Sequence, residues 1–282
     1  MVSTSQVAWT LSGFGDEIDP DPRIQIAVLK ALGASHIEVR SAWGINVVDL
    51  DDDQLGQLKS LLQDEGMTAS AVASPIGKVD VALDPDLEVQ RLRRIIRVAH
   101  ALETPNIRVF SFFRGEGVAV HDIRDDVMLR MRLLADEAEK ERVVLLHENE
   151  KDIYGDIPER LLDLVESVGS PALRLAWDNA NFVQVGVRPF SDGYAMLRPY
   201  VDYLQVKDAV AATGEVVPAG QGDGELVETL TALRDDGYTG FASLEPHLAS
   251  AFELGGFSGP TAFGEAARAF AGLLARLDVT TK

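Results

Sequence analysis

The feature that most constrains this chain is a short apolar stretch that ends in carboxylates. Residues 143–148 read Val-Val-Leu-Leu-His-Glu, and Asn149 and Glu150 follow at once. A run rich in Val and Leu is typical of a strand buried on both faces. In α/β folds the chemistry lies beyond the carboxyl ends of such strands. The stretch therefore predicts a buried strand that delivers Glu148 to the rim of an active site.

Three later apolar runs also end in a polar residue, at Asp178, Gln205 and Glu245. The successive spacings from Glu148 onward are 30, 27 and 40 residues, and each leaves room for one helical crossover between parallel strands. Because the carboxyl ends of parallel strands share one rim, we expect three carboxylates and one amide to lie together there.

Strand and helix patterns alternate along the whole chain, with no linker or low-complexity tract between them. The predicted strands cover residues 7–13, 36–40, 68–74, 106–113, 143–148, 173–178, 201–207 and 240–245. The predicted helices cover residues 24–32, 51–65, 86–102, 122–142, 158–168, 190–197, 226–236 and 261–277. Eight such units, with polar residues at strand ends all round the series, predict a (β/α)₈ TIM barrel of one domain, residues 1–282. A doubly wound sheet is the alternative, but it would concentrate function at one switch point.

Composition excludes several classes of function. The formal net charge of −19 repels phosphate backbones and so argues against a nucleic-acid partner. The absence of cysteine excludes disulfides, thiolate nucleophiles and cysteine-ligated zinc. There is no apolar run of about 18 residues for a membrane span, and the first residues lack the pattern of a signal peptide. We therefore expect a cytoplasmic protein without a membrane partner.

The four strand-end residues form a predicted oxygen-ligand set. Glu148, Asp178 and Glu245 cannot gather in a partly dry pocket without a counter-charge, and a divalent cation is the simplest one. With the amide of Gln205 the set contains oxygen only, which favours Mg²⁺ or Mn²⁺ over Zn²⁺. The alternative is that each residue caps its strand or pairs with a nearby lysine or arginine.

A second group of polar residues is predicted near the same rim. Strand alternation puts Lys207 on the face of Gln205 and His247 on the face of Glu245. The other candidates for contact with substrate are Asn181, Lys78, Arg114 and Lys151. His147 falls on the opposite face from Glu148, where a half-buried structural histidine is expected.

Two glutamates on separate strands around one metal suggest proton transfer at carbon. The metal would polarise a ketone and its neighbouring hydroxyl and stabilise the ene-diolate that forms when the α-proton leaves. Glu148 and Glu245 would act as the acid and base, one removing the proton and the other returning it. The result is epimerisation or isomerisation, and elimination of a β-hydroxyl from the same ene-diolate is equally accessible.

Six motifs resemble those of the xylose-isomerase-like TIM barrels, a family of sugar phosphate isomerases and epimerases. They occur in the family's order along nearly the whole chain: SGFGDEI at 12–18, SPIGK at 74–78, HENE at 147–150, WDNAN at 177–181, QVKD at 205–208 and SLEPH at 243–247. The resemblance implies metal ligands at Glu148, Asp178 and Glu245, with Glu148 and Glu245 as the acid/base pair. It also implies that Asn181 and Lys207 lie near the substrate. The chain departs from the family at Gln205, where the usual third ligand is histidine.

The sequence thus leaves several functions open. The leading hypothesis is a metal-dependent isomerase or epimerase of a ketose, a polyol or a sugar phosphate. The alternatives are a lyase acting on a keto-cyclitol or 3-keto sugar, and a non-catalytic sugar-binding barrel. An endonuclease is disfavoured by the charge. A homo-oligomer is a further possibility, because the segment 252–263 carries three phenylalanines and could be an exposed subunit contact or a lid.

Overall fold

Eight parallel strands form the centre of the fold in a computed structural model that describes residues 7–248 and 258–282. They are β1 Ala8–Gly13, β2 His36–Val39, β3 Thr68–Ala73, β4 Asn106–Val109, β5 Val144–Glu148, β6 Leu173–Asp178, β7 Val201–Val206 and β8 Phe241–Leu244. In the sheet they follow the order β1-β8-β7-β6-β5-β4-β3-β2, and a short strand β9, Thr280–Thr281, lies on the other side of β1. A bridge between Phe14 and Glu38 joins the β1 and β2 ends, so the sheet curls into the TIM barrel that the alternation predicted.

Helices cover the outside of the strands. They are α1 Pro22–Ala31, α2 Asp52–Asp64, α3 Pro85–Ala101, α4 Arg124–Glu141, α5 Pro158–Val168, α6 Asn179–Gln184, α7 Ala195–Leu197, α8 Leu226–Asp235 and α9 Gly259–Arg276. Local chemistry sets their starts: Asp21 and Asp84 cap helices that begin with proline, and Asp51 forms a capping box with Gln54.

The molecule has two different interiors. Between strands and helices lies one large apolar layer, with Trp9, Ile26 and Leu92 among its buried members. Inside the barrel the apolar cluster is small, Ala71, Leu146, Ala176 and Tyr203, and buried polar side chains fill much of the remaining space. The apolar layer supplies the burial that stabilises the fold, which leaves the barrel interior free to carry polar groups.

Most predicted boundaries lie within two residues of the observed ones, and the exceptions are local. The strand predicted at 106–113 leaves the main ladder at Val109, because the backbone of 110–113 turns to bond with Ile76, Gly77 and Val79 instead. The predicted helix at 190–197 is a π-helical turn, Pro189–Tyr194, followed by α7. Helix α6 was not predicted.

Two predictions for loops need correction. The loop predicted at 214–224 contains Val216–Val217, which pairs with Asp208–Ala209. Residues 252–257 of the apolar segment predicted to be exposed at 252–263 lie outside the described residues, but Phe263 is fully buried in α9. No helix in the described part of the chain is long and apolar enough to cross a membrane.

Candidate active site

The strand-end carboxylates converge as predicted. Glu148 ends β5, Asp178 ends β6, and Glu245 follows β8 directly. All three are buried, and each offers a carboxylate oxygen within 4.8 Å of the others. The parallel registers cause this convergence: Asp178 pairs with Gln205 across β6 and β7, and Gln205 pairs with Ser243 across β7 and β8. The arrangement permits all of them to touch one small central group.

The chain itself supplies positive charge to this cluster. The Lys207 ammonium lies 2.9 Å from Oδ2 of Asp178 and 3.2 Å from Oε2 of Glu245. The Arg108 guanidinium lies 3.1 Å from Oε2 of Glu148. Buried side chains therefore balance part of the charge of the three carboxylates, as in the alternative in which each pairs with a nearby lysine or arginine.

Arg40 forms a second set of ion pairs beside the first. Its three nitrogens reach Asp16 at 2.8 Å, Glu17 at 2.9 Å and Glu245 at 2.7 Å. His247 joins the same set through its Nε2, 2.9 Å from Glu17. Glu245 thus belongs to both sets and links them.

Two asparagines orient the acidic groups. The Asn149 amide donates to the carbonyl of Asp178 and accepts from its N–H, which ties β5 to β6 at the rim. The Asn181 amide donates to Oε1 of Glu148 at 2.9 Å. Asp178 in turn accepts from the N–H of Asn181 and so caps α6. Glu148 therefore has one oxygen held by an amide and the other beside Arg108.

Gln205 is buried near the end of β7. Its side chain has no exposed surface, and within residues 7–248 and 258–282 neither the oxygen nor the nitrogen of its amide has a hydrogen-bond partner. An orphaned buried amide costs about 1–3 kcal/mol, so it is expected to have a ligand. Its position beside three carboxylates fits an oxygen donor to a cation, and a hard cation such as Mg²⁺ or Mn²⁺ suits this set.

The pKa values of the clustered carboxyl groups are shifted in opposite directions. Burial raises the pKa of Asp178 to about 7, with Lys207 opposing and the neighbouring glutamates adding to the rise. Burial also acts to raise the pKa of Glu245, but Lys207, His247 and Arg40 outweigh it and hold that pKa well below its ordinary range. The pKa of Lys207, which burial acts to lower, is raised well above its ordinary value by Asp178 and Glu245, so this side chain stays charged.

A cavity of about 200 Å³ opens onto these groups. Its lining includes Arg40, Lys78, Arg108, Glu148, Glu150, Lys207, Glu245 and His247. The volume is below the roughly 300–1,000 Å³ of sites for drug-sized ligands, which suits a small polar molecule. A larger groove of about 830 Å³ lies along α2 and α3, lined by Asp52, Leu83 and Leu87, and contains none of the strand-end residues.

The predicted second group of residues is only partly brought together. The cavity is lined by Lys207, His247 and Lys78. Lys78 forms an ion pair with Glu150 at 3.0 Å, and Asn181 contacts Glu148. Arg114 and Lys151 are exposed and do not line it. His147 lies away from the cavity and is fully buried rather than half-buried; burial lowers its pKa to about 3, so it is neutral.

Four residues of the site were not among the predicted ones: Asp16, Glu17, Arg40 and Arg108. Signals for each were present. Arg108 interrupts an otherwise apolar strand, and Arg40 shares a strand face with Glu38. Asp16 and Glu17 lie within the SGFGDEI motif that supports the family resemblance. A charged residue within an apolar strand was the clue, because a buried charge needs a partner.

Comparison with known proteins identifies the family of this chain. A sequence model of the family described as xylose isomerase-like TIM barrel matches residues 26–272. The chain is 30% identical over 216 residues to a 2-epi-5-epi-valiolone 7-phosphate 2-epimerase from an Actinoplanes species, covering 72% of this chain and 77% of that relative. It is 25% identical over 186 residues to a 3-dehydroshikimate dehydratase from Bacillus anthracis, covering 59% of this chain and 65% of that relative.

Solved structures share the fold at lower identity. A D-tagatose 3-epimerase-like protein superposes with a TM-score of 0.77 at 16% identity, covering 95% of this chain and 98% of that one. A xylose isomerase-like TIM barrel protein from Mycobacterium smegmatis, in complex with magnesium, superposes with a TM-score of 0.68 at 18% identity, covering 97% and 100%. With a family match over most of its length and the fold of these relatives, the chain belongs to the xylose isomerase-like TIM barrel family.

Proposed function

We propose that this chain is a divalent-metal-dependent isomerase or epimerase that acts on a ketose, a related polyol or a sugar phosphate. The observation that carries the proposal is the convergence of the Glu148, Asp178 and Glu245 carboxylates, whose oxygens lie within 4.8 Å of one another beside a small cavity. The Actinoplanes relative, named as an epimerase, supports the reaction class.

Glu148 and Glu245 are the proposed acid and base. They stand on strands separated by β6 and β7, so a substrate held between them meets a carboxylate from two sides. One removes the proton from the carbon next to the substrate carbonyl, and the other returns a proton to that carbon or to its neighbour. Asn181 fixes the orientation of Glu148 through the hydrogen bond to Oε1.

The proposed cation ligands are the carboxylates of Glu148, Asp178 and Glu245 and the amide oxygen of Gln205. When bound, Mg²⁺ or Mn²⁺ would polarise the substrate carbonyl and the neighbouring hydroxyl. The magnesium complex of the Mycobacterium smegmatis protein supports this assignment, and so does the orphaned amide of Gln205. Lys207 and Arg108 add positive charge beside any oxygen that becomes negative as the proton leaves.

Solvent exchange tests the proposal directly. The protein is incubated with Mn²⁺ and a panel of ketoses, cyclitol ketones and sugar phosphates in D₂O, and deuterium at the carbon next to the carbonyl is measured by mass spectrometry. We expect incorporation with at least one substrate and its loss after exhaustive chelation. No exchange with any substrate contradicts the proposed function, and exchange that survives chelation contradicts its metal dependence.

A lyase is the second candidate. It is favoured by the Bacillus anthracis relative, which is named as a dehydratase. The same proton removal by Glu148 or Glu245 would then be followed by departure of a β-hydroxyl. The enone that forms absorbs in the near ultraviolet, so a spectrophotometric assay on the same panel separates the two reactions. Metal and sugar binding without either reaction would instead support a non-catalytic sugar-binding barrel.

A further inference from the structure

The Lys207 ammonium lies against the carboxylates that would hold a cation. It contacts Asp178 at 2.9 Å and Glu245 at 3.2 Å, and these carboxylates and Glu148 lie within 4.8 Å of one another. Lys207 is 4% exposed, so water screens its charge little. A dication and an ammonium that draw on the same oxygens repel each other strongly in such a setting.

The backbone of Lys207 is held in place while its side chain is long. The next residue, Asp208, accepts hydrogen bonds from the N–H groups of Gly220, Gly222 and Gly224. A Cβ on Gly222 would lie 2.4 Å from the carbonyl oxygen of Ala209, so the loop can approach this closely only with glycine there. Movement of the ammonium therefore depends on the four-carbon side chain rather than on the strand.

A second carboxylate is available to the ammonium. Glu150 acts electrostatically on Lys207, lines the same cavity and is partly exposed. It belongs to none of the acidic groups whose oxygens could hold a metal ion in the described part of the chain. Arg108 differs, because its guanidinium is held 4.9 Å from the ring centroid of Phe110 and 5.3 Å from that of Phe14. Of Lys207 and Arg108, Lys207 is thus the cation that can move away from the carboxylates.

We propose that Lys207 is a built-in competitor for the divalent cation: without metal its ammonium holds the carboxylate cluster together, and it moves toward Glu150 when the metal binds. The inference rests on the proposed metal site. It assigns to Lys207 a role in setting metal affinity, in addition to any contact with substrate. The consequence is a site that stays folded without metal and binds metal more weakly than its four oxygen ligands alone would.

The test is Mn²⁺ binding to the full chain by isothermal titration calorimetry, with no substrate present. Lys207→Met keeps the length of the side chain and removes its charge, and we expect its Kd for Mn²⁺ to fall by about tenfold or more. Arg114→Met is the control, because it also removes one positive charge, but from an exposed side chain that does not line the cavity. We expect its Kd to change by less than about threefold.

Thermal unfolding gives a second readout that separates competition from simple damage. Without metal, Lys207→Met leaves three carboxylates less compensated and should melt below the wild type; with saturating Mn²⁺ its gain in Tm should exceed that of the wild type. Glu150→Gln removes the alternative partner of the ammonium, so its Kd for Mn²⁺ should rise. This variant keeps the test decisive if Lys207→Met does not fold without metal.

The outcomes distinguish the inference from the proposed function. Tighter Mn²⁺ binding by Lys207→Met but not by Arg114→Met supports competition by Lys207. Equal Kd values for wild type, Lys207→Met and Glu150→Gln overturn the inference and leave the metal site intact. Absence of Mn²⁺ binding by every folded variant overturns the metal site itself, and the inference with it.

Discussion

The two glutamates proposed as acid and base stand in different surroundings. Among the described residues, Glu245 has four basic groups within 4.0 Å: Arg40 at 2.7 Å, Lys207 at 3.2 Å, His247 at 3.5 Å and Arg108 at 3.9 Å. Glu148 contacts one guanidinium, that of Arg108 at 3.1 Å, and one neutral amide, that of Asn181 at 2.9 Å.

The difference places Glu245 among several cations and Glu148 beside one. The pKa of Glu245 is held far below its ordinary range, because Lys207, His247 and Arg40 outweigh the burial that acts to raise it. A carboxylate stabilised this strongly is a poor proton acceptor. Glu245 can therefore exchange a proton with the substrate only after Lys207, which lies 3.2 Å from it, has moved away.

The largest expected effect comes from neutralising each glutamate in turn. Glu148→Gln and Glu245→Gln should each lower turnover by about 10²–10⁴-fold, the usual contribution of a positioned acid or base. Their stabilities should differ: Glu245→Gln leaves Arg40 and Lys207 buried without a shared partner and should cost about 3 kcal/mol, whereas Glu148→Gln should cost less, because Arg108 still has Glu245 at 3.9 Å. Urea unfolding measures both. Equal losses of stability would contradict the difference in surroundings.

Arg40→Met tests the surroundings of Glu245 alone. The guanidinium joins Asp16, Glu17 and Glu245 and is 20% exposed, so its loss leaves three buried carboxylates with fewer partners. We expect the free energy of unfolding to fall by about 3 kcal/mol. Arg114→Met is the control, because Arg114 is exposed, and should change stability by less than about 0.5 kcal/mol. A loss below about 1 kcal/mol in Arg40→Met would show that the ion pairs do not hold these surroundings together.

The same contrast explains what could be predicted from sequence. Glu148, Asp178, Gln205 and Glu245 were predictable, because each ends an apolar strand and parallel strands end at one rim. The pairing of Arg40 with Glu245 joins residues 205 positions apart, and only the closure of β1 against β2 brings it about. A strand pattern gives the face on which a side chain lies but not its partner across the barrel. Local periodicity therefore located the carboxylates and Lys207 but missed Arg40 and Arg108.

Glu38, which is buried inside the barrel, provides a test by pH. Glu38 accepts a hydrogen bond from the Tyr203 hydroxyl at 2.9 Å. Burial raises the pKa of Glu38 to about 7, with Glu245 adding to the rise and Arg108 and Tyr203 opposing it. The native state then binds a proton that the unfolded state releases between pH 4.5 and about 7. Its stabilising contribution is complete at the acid end of this window and is lost as the pH rises through about 7.

Glu38→Gln should remove this pH dependence, because the amide has the size of the protonated carboxyl and does not titrate. The variant should therefore gain stability relative to the wild type as the pH rises from 4.5 to 8, by up to about 3 kcal/mol. Urea unfolding at a series of pH values gives the two curves. Parallel curves would mean that Glu38 keeps an ordinary pKa, and that its surroundings contain more water than its burial indicates.

The smallest expected effect distinguishes cations that line the cavity from those that do not. Lys78 lines it, and its ammonium lies 3.0 Å from Glu150 and 4.3 Å from the ring centroid of Phe110, whereas Arg114 contacts only the carbonyl of Val118 within the described residues. If the substrate carries a phosphate, Lys78→Met should raise KM about tenfold with little change in kcat, since a contact made equally in ground and transition states affects binding alone. Arg114→Met should change KM by less than about twofold. A fall in kcat for Lys78→Met would instead indicate that Glu150, released from its ion pair with Lys78, attracts Lys207 away from Glu245 and Asp178. Lys78 would then act on the surroundings of Glu245 through Glu150.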